Sequence, residues 1–440
     1  MPSHHLTRRQ FLASTSAAAA ASWIAPRFAI ARSGTSANSK INLACIGVGG
    51  RGALNLQAFA NENVVALCDV DDHNAAASFQ AHPRAKRFRD FRRLLDALGG
   101  QIDAVVVSTP DHTHFAATMA AMELGKHVFC EKPLAHTVWE ARTLRKAARH
   151  YKIVSQMGNQ GHATDGIRCV KEWVDAGVLG QVTEVSAWLG GINFNGRFFR
   201  KPPAIPPPAA PVPAHLDWDL WLGPCTRAVP YHPVYHPRSW RGFYEFGSGL
   251  LGDWSCHTLD APFWALDLGM PSVVERESAT GGSTEFTPDT AVARFEFPAR
   301  GAKPPVVLHW HEGLPRPALR EAWGLQELGD AGMIMTGDKA CLMTGERPDS
   351  PRAARQPALA AKRQVARLPP EPAAQDPPPH QGRPLQGMDR RHPRRRPAAG
   401  IRLRLRRLPH RSRLARRARP ARRRPHRIRC RRDANHQPPG

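Results

Sequence analysis

Residues Ile41 to Asp69 read INLACIGVGGRGALNLQAFANENVVALCD. An apolar run (Ile41 to Ile46) enters the turn Gly47-Val48-Gly49-Gly50-Arg51-Gly52. A helical pattern follows, then a second apolar run that ends at Asp69. The order is strand, turn, helix, strand, and the glycines have separate roles in it. Gly47 permits the tight turn, Gly49 lets backbone approach a pyrophosphate, and Gly52 lets the helix pack closely on the strand. Phosphates would then rest on the unpaired N–H groups at the helix N-terminus. Asp69 stands twenty residues after Gly49, the spacing at which a carboxylate reaches ribose hydroxyls. A glycine triplet alone is also an ordinary flexible turn; two flanking strands and an acid in register make it a dinucleotide site. Asp69 would repel a 2′-phosphate and so favours NAD over NADP.

The alternation continues along the chain. Asp90 is placed to cap a short helix (Phe91 to Leu98), Asp103 to Ser108 is a buried strand, and His114 to Leu124 a helix. His127 to Cys130 is a strand, Thr137 to His150 an amphipathic helix and Ile153 to Gln156 a last strand. Strands alternating with helices predict a doubly wound parallel sheet over residues 40–157, with functional residues at the carboxyl ends of its strands. Period-2 apolar runs at Val182 to Trp188, Val292 to Phe297 and Val306 to Trp310 predict a second α/β domain, residues 158–350, with a largely antiparallel sheet. Lys201 to Pro213 is too rich in proline for helix or strand and reads as an extended surface arm.

Two strand ends carry unusual residues. Val105-Val106-Val107-Ser108 runs into Thr109-Pro110-Asp111-His112-Thr113-His114, and Val128-Phe129-Cys130 into Glu131-Lys132-Pro133. With the glycine turn, in this order and spacing, these motifs resemble the Gfo/Idh/MocA family of oxidoreductases, which includes glucose-fructose oxidoreductase and inositol dehydrogenase. SQMGNQGH (155–162), LDWDLWLGP (216–224), PYHPVYHPRSWRG (230–242) and GLLGDWSCHTLDAPFW (249–264) resemble stretches in its exported members. The likeness spans roughly residues 40–345. It implies a cofactor site built from Gly47, Gly49, Gly50, Arg51, Gly52 and Asp69 on the first turn. Thr109, Pro110 and His114 would join from the second, Glu131 and Lys132 from the third. Some members accept NADP through a basic residue near the ribose, a part open to Arg51.

Oxidising a secondary alcohol requires a hydride acceptor over the carbinol carbon and a base for the hydroxyl proton. Lys132 lies at a strand end where a nicotinamide belongs, and shielding from water lowers a lysine pKa toward a useful range; the alternative is a surface lysine ahead of a helix. Asp253 and His257, if helical, stack on one face about 6 Å apart. The carboxylate can orient the imidazole, which near neutrality takes the proton; the alternative is an N-cap beside a core histidine. The resemblance favours the catalytic reading of all three. Asp260 is read as a substrate ligand or as a cap, and His236, Trp240 and Arg241 as the lining of a sugar pocket. No Cys or carboxylate completes a metal site with the loop histidines.

The expected activity is NAD-dependent, or NADP-dependent, hydride transfer at a sugar, polyol or related carbohydrate. Some relatives use bound NAD to cleave glycosidic bonds through transient oxidation, so a hydrolase is the alternative. Relatives also pair through the second sheet, which implies a homo-oligomer if that sheet is intact.

The net charge of +25 suggests nucleic acid until it is located. Residues 351–440 hold 27 Lys and Arg against 4 Asp and Glu, leaving 35 against 33 in the rest. This tail has no Phe, Tyr or Trp, hence no stacking platform for single strands and too little apolar surface to offset chain ordering. A disordered tail is expected. Gln386 to Pro393 can be encoded as CAA GGA ATG GAT CGA CGC CAT CCG, which one base over reads KEWIDAI, an ordinary helical segment. The tail is thus read as an out-of-frame translation, which raises the prospect of an inactive product. At the other end Arg8-Arg9-Gln10-Phe11-Leu12, an Ala-rich stretch and Ala29-Ile30-Ala31 match a twin-arginine signal over 1–31, followed by a polar linker at 32–39. They imply the Tat machinery as a partner and a periplasmic location. The cysteines read as buried hydrophobes, and no run of ~20 apolar residues spans a bilayer.

Overall fold

The computed structural model describes residues 40–190, 198–313, 316–345, 347, 352–355 and 428–429, the last two stretches as backbone only. The signal sequence, the linker and most of the basic tail lie outside the described residues.

The first domain runs β1 (Asn42–Ile46), α1 (Arg51–Ala58), β2 (Asn63–Cys68), α2 (Ala76–Ala81), β3 (Lys86–Phe88), α3 (Phe91–Leu98), β4 (Ala104–Val107), α4 (Asp111–Glu123), β5 (His127–Glu131), α5 (Val138–His150) and β6 (Ser155–Gly158). Its six parallel strands are ordered β3-β2-β1-β4-β5-β6, so β1 and β4 flank the crevice where the order reverses and ligands bind. Helices cover both faces, which is why β4 is apolar at every position. Ile46, Val105 and Val128 point to the face of α3, α4 and α5, whereas Cys45, Val106 and Phe129 point to that of α1 and α2.

Local chemistry sets the helix ends. Asp90 accepts from the Arg92 N–H, and Thr137 with Glu140 forms a complete capping box. α4 begins at Asp111, three residues before the expected His114. Pro110 holds the extended N-cap position, and Asp111 lies in the first turn, where negative charge is favoured.

The second domain holds α6 (Asp165–Asp175), β7 (Val182–Leu189), α7 (Trp218–Leu222), α8 (Gly249–Thr258), α9 (Asp260–Leu266), β8 (Val273–Thr280), β9 (Thr290–Phe297), β10 (Val306–Glu312), β11 (Ala331–Gly337), β12 (Ala340–Thr344), β13 (Arg352–Arg355) and β14 (Ile428–Arg429). The sheet order is β13-β12-β11-β7-β10-β9-β8-β14, antiparallel except where β7 meets β10. Val185, Ala187, Leu308 and Trp310 of the sheet join α6 and α9 in one core. Asp253 and His257 are helical, as their stacking requires, and the helix is broken at Leu259, so Asp260 opens α9. Pro262 lacks an N–H and would clash with the carbonyl one turn back.

Lys201 to Pro213 contains neither helix nor strand, as its prolines require. Pro202 and Pro207 are nonetheless buried and the Ala210 N–H bonds Tyr231 O, so the arm is pinned rather than free. Of residues 351–440 two short stretches are described: Arg352–Arg355 pairs with β12 and Ile428–Arg429 with β8. Edge strands offer unpaired N–H and C=O groups to any backbone, whatever its side chains.

Candidate active site

At the end of β1 the turn is built as glycine chemistry demands. Gly47 has φ +75°, and a Cβ there would lie 2.7 Å from Ser108 O. A Cβ on Gly52 would lie 1.9 Å from Gly47 O, so α1 packs directly on the turn. Gly49 is closed against Asn74, whereas the space beside Gly50 is open. No side chain caps α1 at Gly50, and the Thr109 hydroxyl at the end of β4 is buried without a hydrogen-bond partner among the described residues. An uncapped helix N-terminus, open space beside Gly50 and an unspent hydroxyl fit a dinucleotide.

Asp69 lies against the glycine turn. Its Oδ2 accepts from the N–H of Val48 (2.8 Å) and Gly49 (3.1 Å), and its Oδ1 from the N–H of Asp71 (3.0 Å). Burial pushes its carboxyl above the usual range, against those three hydrogen bonds. Three backbone donors within reach hold the carboxylate on the loop, where it braces β2 against the glycine turn. Arg51 departs from the expectation. Its Nε donates to Glu131 Oε1 (2.9 Å), drawing the side chain to the end of β5 and away from the end of β2. Asn55 and Gln160 bond the same carboxylate (3.0 and 3.2 Å), so buried Glu131 ties α1, β5 and the entry to the second domain together.

His114 joins two strand ends, with Nε2 2.7 Å from Thr109 O and Nδ1 2.7 Å from Pro133 O. Both neighbours are acceptors, which only the doubly protonated ring satisfies. Burial opposes that charge, but the Cys130 sulfur, Asp111 and the Pro133 carbonyl outweigh it and push the pKa up to about 10.

Across the crevice stands α8. Lys132, at the end of β5, places Nζ 2.5 Å from Asp253 Oδ1 and 2.9 Å from the Asp253 carbonyl. Arg241 Nε lies 3.5 Å from Asp253 Oδ2. Burial disfavours the Asp253 charge, yet Lys132 and Arg241 hold its carboxyl below the ordinary range. His257, one turn on, is buried with Nδ1 unpartnered among the described residues. Burial and the Lys132 charge push its pKa down to about 3. It is a neutral imidazole, which corrects the expectation of a group titrating near neutrality. The structure thus brings the Lys132 Nζ to the Asp253 carboxylate, with the His257 ring one helical turn on.

The other loop residues divide. Arg241 is brought to Asp253, with its guanidinium 4.3 Å over the Trp240 ring. Trp240 is buried and that face is taken, so it offers no sugar platform. His236 is not brought to Lys132: with His215 it bonds Asp71 (2.7 and 2.8 Å), at the end of β2. Asp71 is held far below the usual carboxylate range because hydrogen bonds from His236, Asn74 and His215 overcome its burial. Asp260 pairs with His162 Nδ1 (2.9 Å), and His162 packs against Trp264. Sequence reasoning missed Asp111, whose Oδ2 accepts from Ser248 Oγ (2.8 Å) just ahead of α8; an acid inside the Thr109 to His114 turn was the available signal. Among the described residues no group of His, Cys, Asp and Glu is placed to hold a metal, and no helix is long and apolar enough to cross a membrane.

Two family models match the chain. Residues 41–159 match the oxidoreductase family's NAD-binding Rossmann fold, and residues 164–280 its C-terminal alpha/beta domain; together they take in more than half of the sequence. The chain belongs to the Gfo/Idh/MocA family. Among curated relatives of this family, levoglucosan dehydrogenase of Pseudarthrobacter phenanthrenivorans is 28% identical over 172 residues, 39% of this chain and 34% of that protein. An inositol 2-dehydrogenase/D-chiro-inositol 3-dehydrogenase of Lacticaseibacillus casei is 33% identical over 153 residues, 33% of this chain and 44% of that one. These alignments span about a third to a half of the relatives' length. A solved levoglucosan dehydrogenase complexed with NADH and levoglucosan shares the fold, with a TM-score of 0.51, 20% identity, and 74% and 78% of the two chains covered.

Proposed function

We propose that the protein is an NAD-dependent dehydrogenase that oxidises a secondary alcohol of a sugar or polyol. The observation that carries this is the Lys132–Asp253 pair, formed across the domain boundary at the end of β5 near His257, whose Nδ1 has no hydrogen-bond partner among the described residues. NAD would be held by the turn from Gly47 to Gly52, with Thr109 and the end of β5 beside it, and supplies a hydride acceptor. Lys132 places its Nζ at the substrate oxygen, and Lys132 and His257 handle the hydroxyl proton between them. Asp253, on the same helical face as His257, offsets the positive charge left there. Arg241, stacked on Trp240, holds the second carboxylate oxygen of Asp253 and borders the reacting group. The relatives' activities on levoglucosan and inositols support a cyclic polyol as the substrate class. The test is NADH formation from NAD and a panel of polyols and anhydrosugars; the absence of net NADH with every member would turn the reading toward the hydrolase.

We further propose export by the twin-arginine route, supported by Arg8-Arg9 and the Ala-rich stretch after it, and an out-of-frame origin for the tail, supported by its 27 basic residues and lack of aromatics. Cell fractionation with and without Arg8-Arg9→Lys-Lys tests the first. Re-reading the coding DNA tests the second, and pairing of two copies through the second sheet, proposed with it, is read from solution mass.

A further inference from the structure

Each of the three residues ahead of α8 bonds the first domain. Phe246 O accepts from the His112 N–H (3.2 Å) and Gly247 O from His136 Nε2 (3.1 Å). Ser248 donates both its N–H (3.3 Å) and its hydroxyl (2.8 Å) to Asp111 Oδ2. Asp111 and His112 open α4, and His136 follows Lys132 by four residues. The start of α8 is therefore held from beyond the ends of β4 and β5, the strands that lead into Thr109 and Lys132.

Ser248 is the unusual member of this set. It holds the N-cap of α8, where a serine oxygen ordinarily accepts from a backbone N–H of the first turn. No such bond forms here, and the hydroxyl donates outward to a residue 137 positions away in sequence. Gly252 makes the room: a Cβ there would lie 2.3 Å from both Ser248 Cβ and Oγ, and a helix otherwise disfavours glycine. Asp111 is itself 2% exposed, and burying a carboxyl group is costly unless it is hydrogen-bonded. Both donors that meet its Oδ2 come from Ser248. Asp253 and His257 lie five and nine residues after Ser248, on the helix that it starts.

We propose that Asp111 is a positioning residue: through Ser248 it fixes the start of α8 against the first domain and so sets where Asp253 and His257 face Lys132. The proposal rests on the reading of Lys132, Asp253 and His257 as the reactive group, but its test does not require that reading. Acylation of the purified full chain by acetic anhydride, scored by peptide mass mapping, reports how well Asp253 covers the Lys132 amine. Buried Lys126, just beyond the end of α4, is the reference, because its labelling rises only if α4 or the whole domain loosens. Losing a hydrogen bond shifts a local equilibrium about fivefold. Ser248→Ala, which leaves α4 untouched, should therefore raise Lys132 labelling relative to Lys126 about fivefold. Asp111→Leu should raise it at least as much, and adding Ser248→Ala to that variant should raise it no further, since the contact is already gone. Asp111→Asn, whose amide oxygen still accepts from Ser248, should label at the parent level. Parent-level labelling of Lys132 in Ser248→Ala, or equal rises at Lys126 and Lys132, overturns the proposal. If Asp111→Leu does not fold, Ser248→Ala and Asp111→Asn decide the matter by the same outcomes. Should no polyol reduce NAD while these labelling differences hold, the positioning role stands and the dehydrogenase reading falls.

Discussion

Replacing Gly52 by alanine sets two effects of opposite sign against each other. Gly52 lies in the first turn of α1, where alanine gains up to about 1 kcal/mol of helix propensity. A Cβ there would also stand 1.9 Å from the Gly47 carbonyl oxygen and 2.8 Å from its carbon. These are backbone atoms and cannot rotate aside, so an ordinary contact requires α1 to move by roughly 1 Å or more from β1, carrying buried Leu56 with it. Overpacking costs about 1–3 kcal/mol, and a backbone obstacle belongs at the top of that range, leaving a net loss of about 2 kcal/mol. That corresponds to a melting point lower by about 4–8 °C. NAD should bind at least about tenfold more weakly, because 1.4 kcal/mol of lost contact at the helix N-terminus is enough for that factor. Gly100→Ala, where a Cβ meets nothing within 4 Å, is the control and should be silent. Thermal unfolding and a fluorescence titration with NAD read both effects. A Gly52→Ala protein that melts at or above the parent and binds NAD equally well would refute the packing of α1 on the turn.

Two further outcomes follow from buried acids. The Glu312 carboxyl has a folded pKa of about 7 against 4.5 unfolded, so the folded state holds the extra proton. Its contribution is full below about pH 4.5 and is lost as pH rises through about 7, a change of roughly 3 kcal/mol. Urea unfolding across that window should show the parent losing stability relative to Glu312→Gln, and a constant difference between the two contradicts it. Asp69→Ala leaves the N–H groups of Val48, Gly49 and Asp71 without their acceptor, costing about 1–3 kcal/mol for each that stays buried and unpaired. Affinity for both NAD and NADP should fall together with the melting point. A variant that melts like the parent and gains NADP affinity would restore the simple repulsion picture.

The glycine turn and the Asp90 cap were legible because each satisfies neighbouring backbone groups within a few residues. Strands β1, β2, β4 and β5 were legible because apolar runs in a doubly covered sheet have no polar alternative; short, polar β3 was not. Lys132 and Asp253 could be singled out, but not their contact, which joins residues 121 apart in sequence. Arg51 on Glu131 and His236 on Asp71 were hidden for the same reason, 80 and 165 residues apart, the latter in a proline-broken loop without periodicity. Spacing brought Asp69 to the glycine turn but could not show that the Val48, Gly49 and Asp71 N–H groups already bond it there. The His257 pKa depends on burial and on the charge of Lys132 together, and neither is written in an i, i+4 spacing. Glu312 was within reach: an acid in the inward register of a period-2 run is a signal in itself.

The central claim is that Lys132 and its partners on α8 serve hydride removal from a carbinol carbon. Transfer of label tests it most directly. Inositol or levoglucosan deuterated at its carbinol carbons is incubated with NAD and the protein, and the nicotinamide is weighed by mass spectrometry. The parent should deposit one deuterium per turnover on the cofactor. Lys132→Met should deposit none while binding NAD as the parent does, since the glycine turn is untouched. Label transfer at the parent rate in Lys132→Met, or unlabelled cofactor across the whole polyol panel in the parent, would contradict the account.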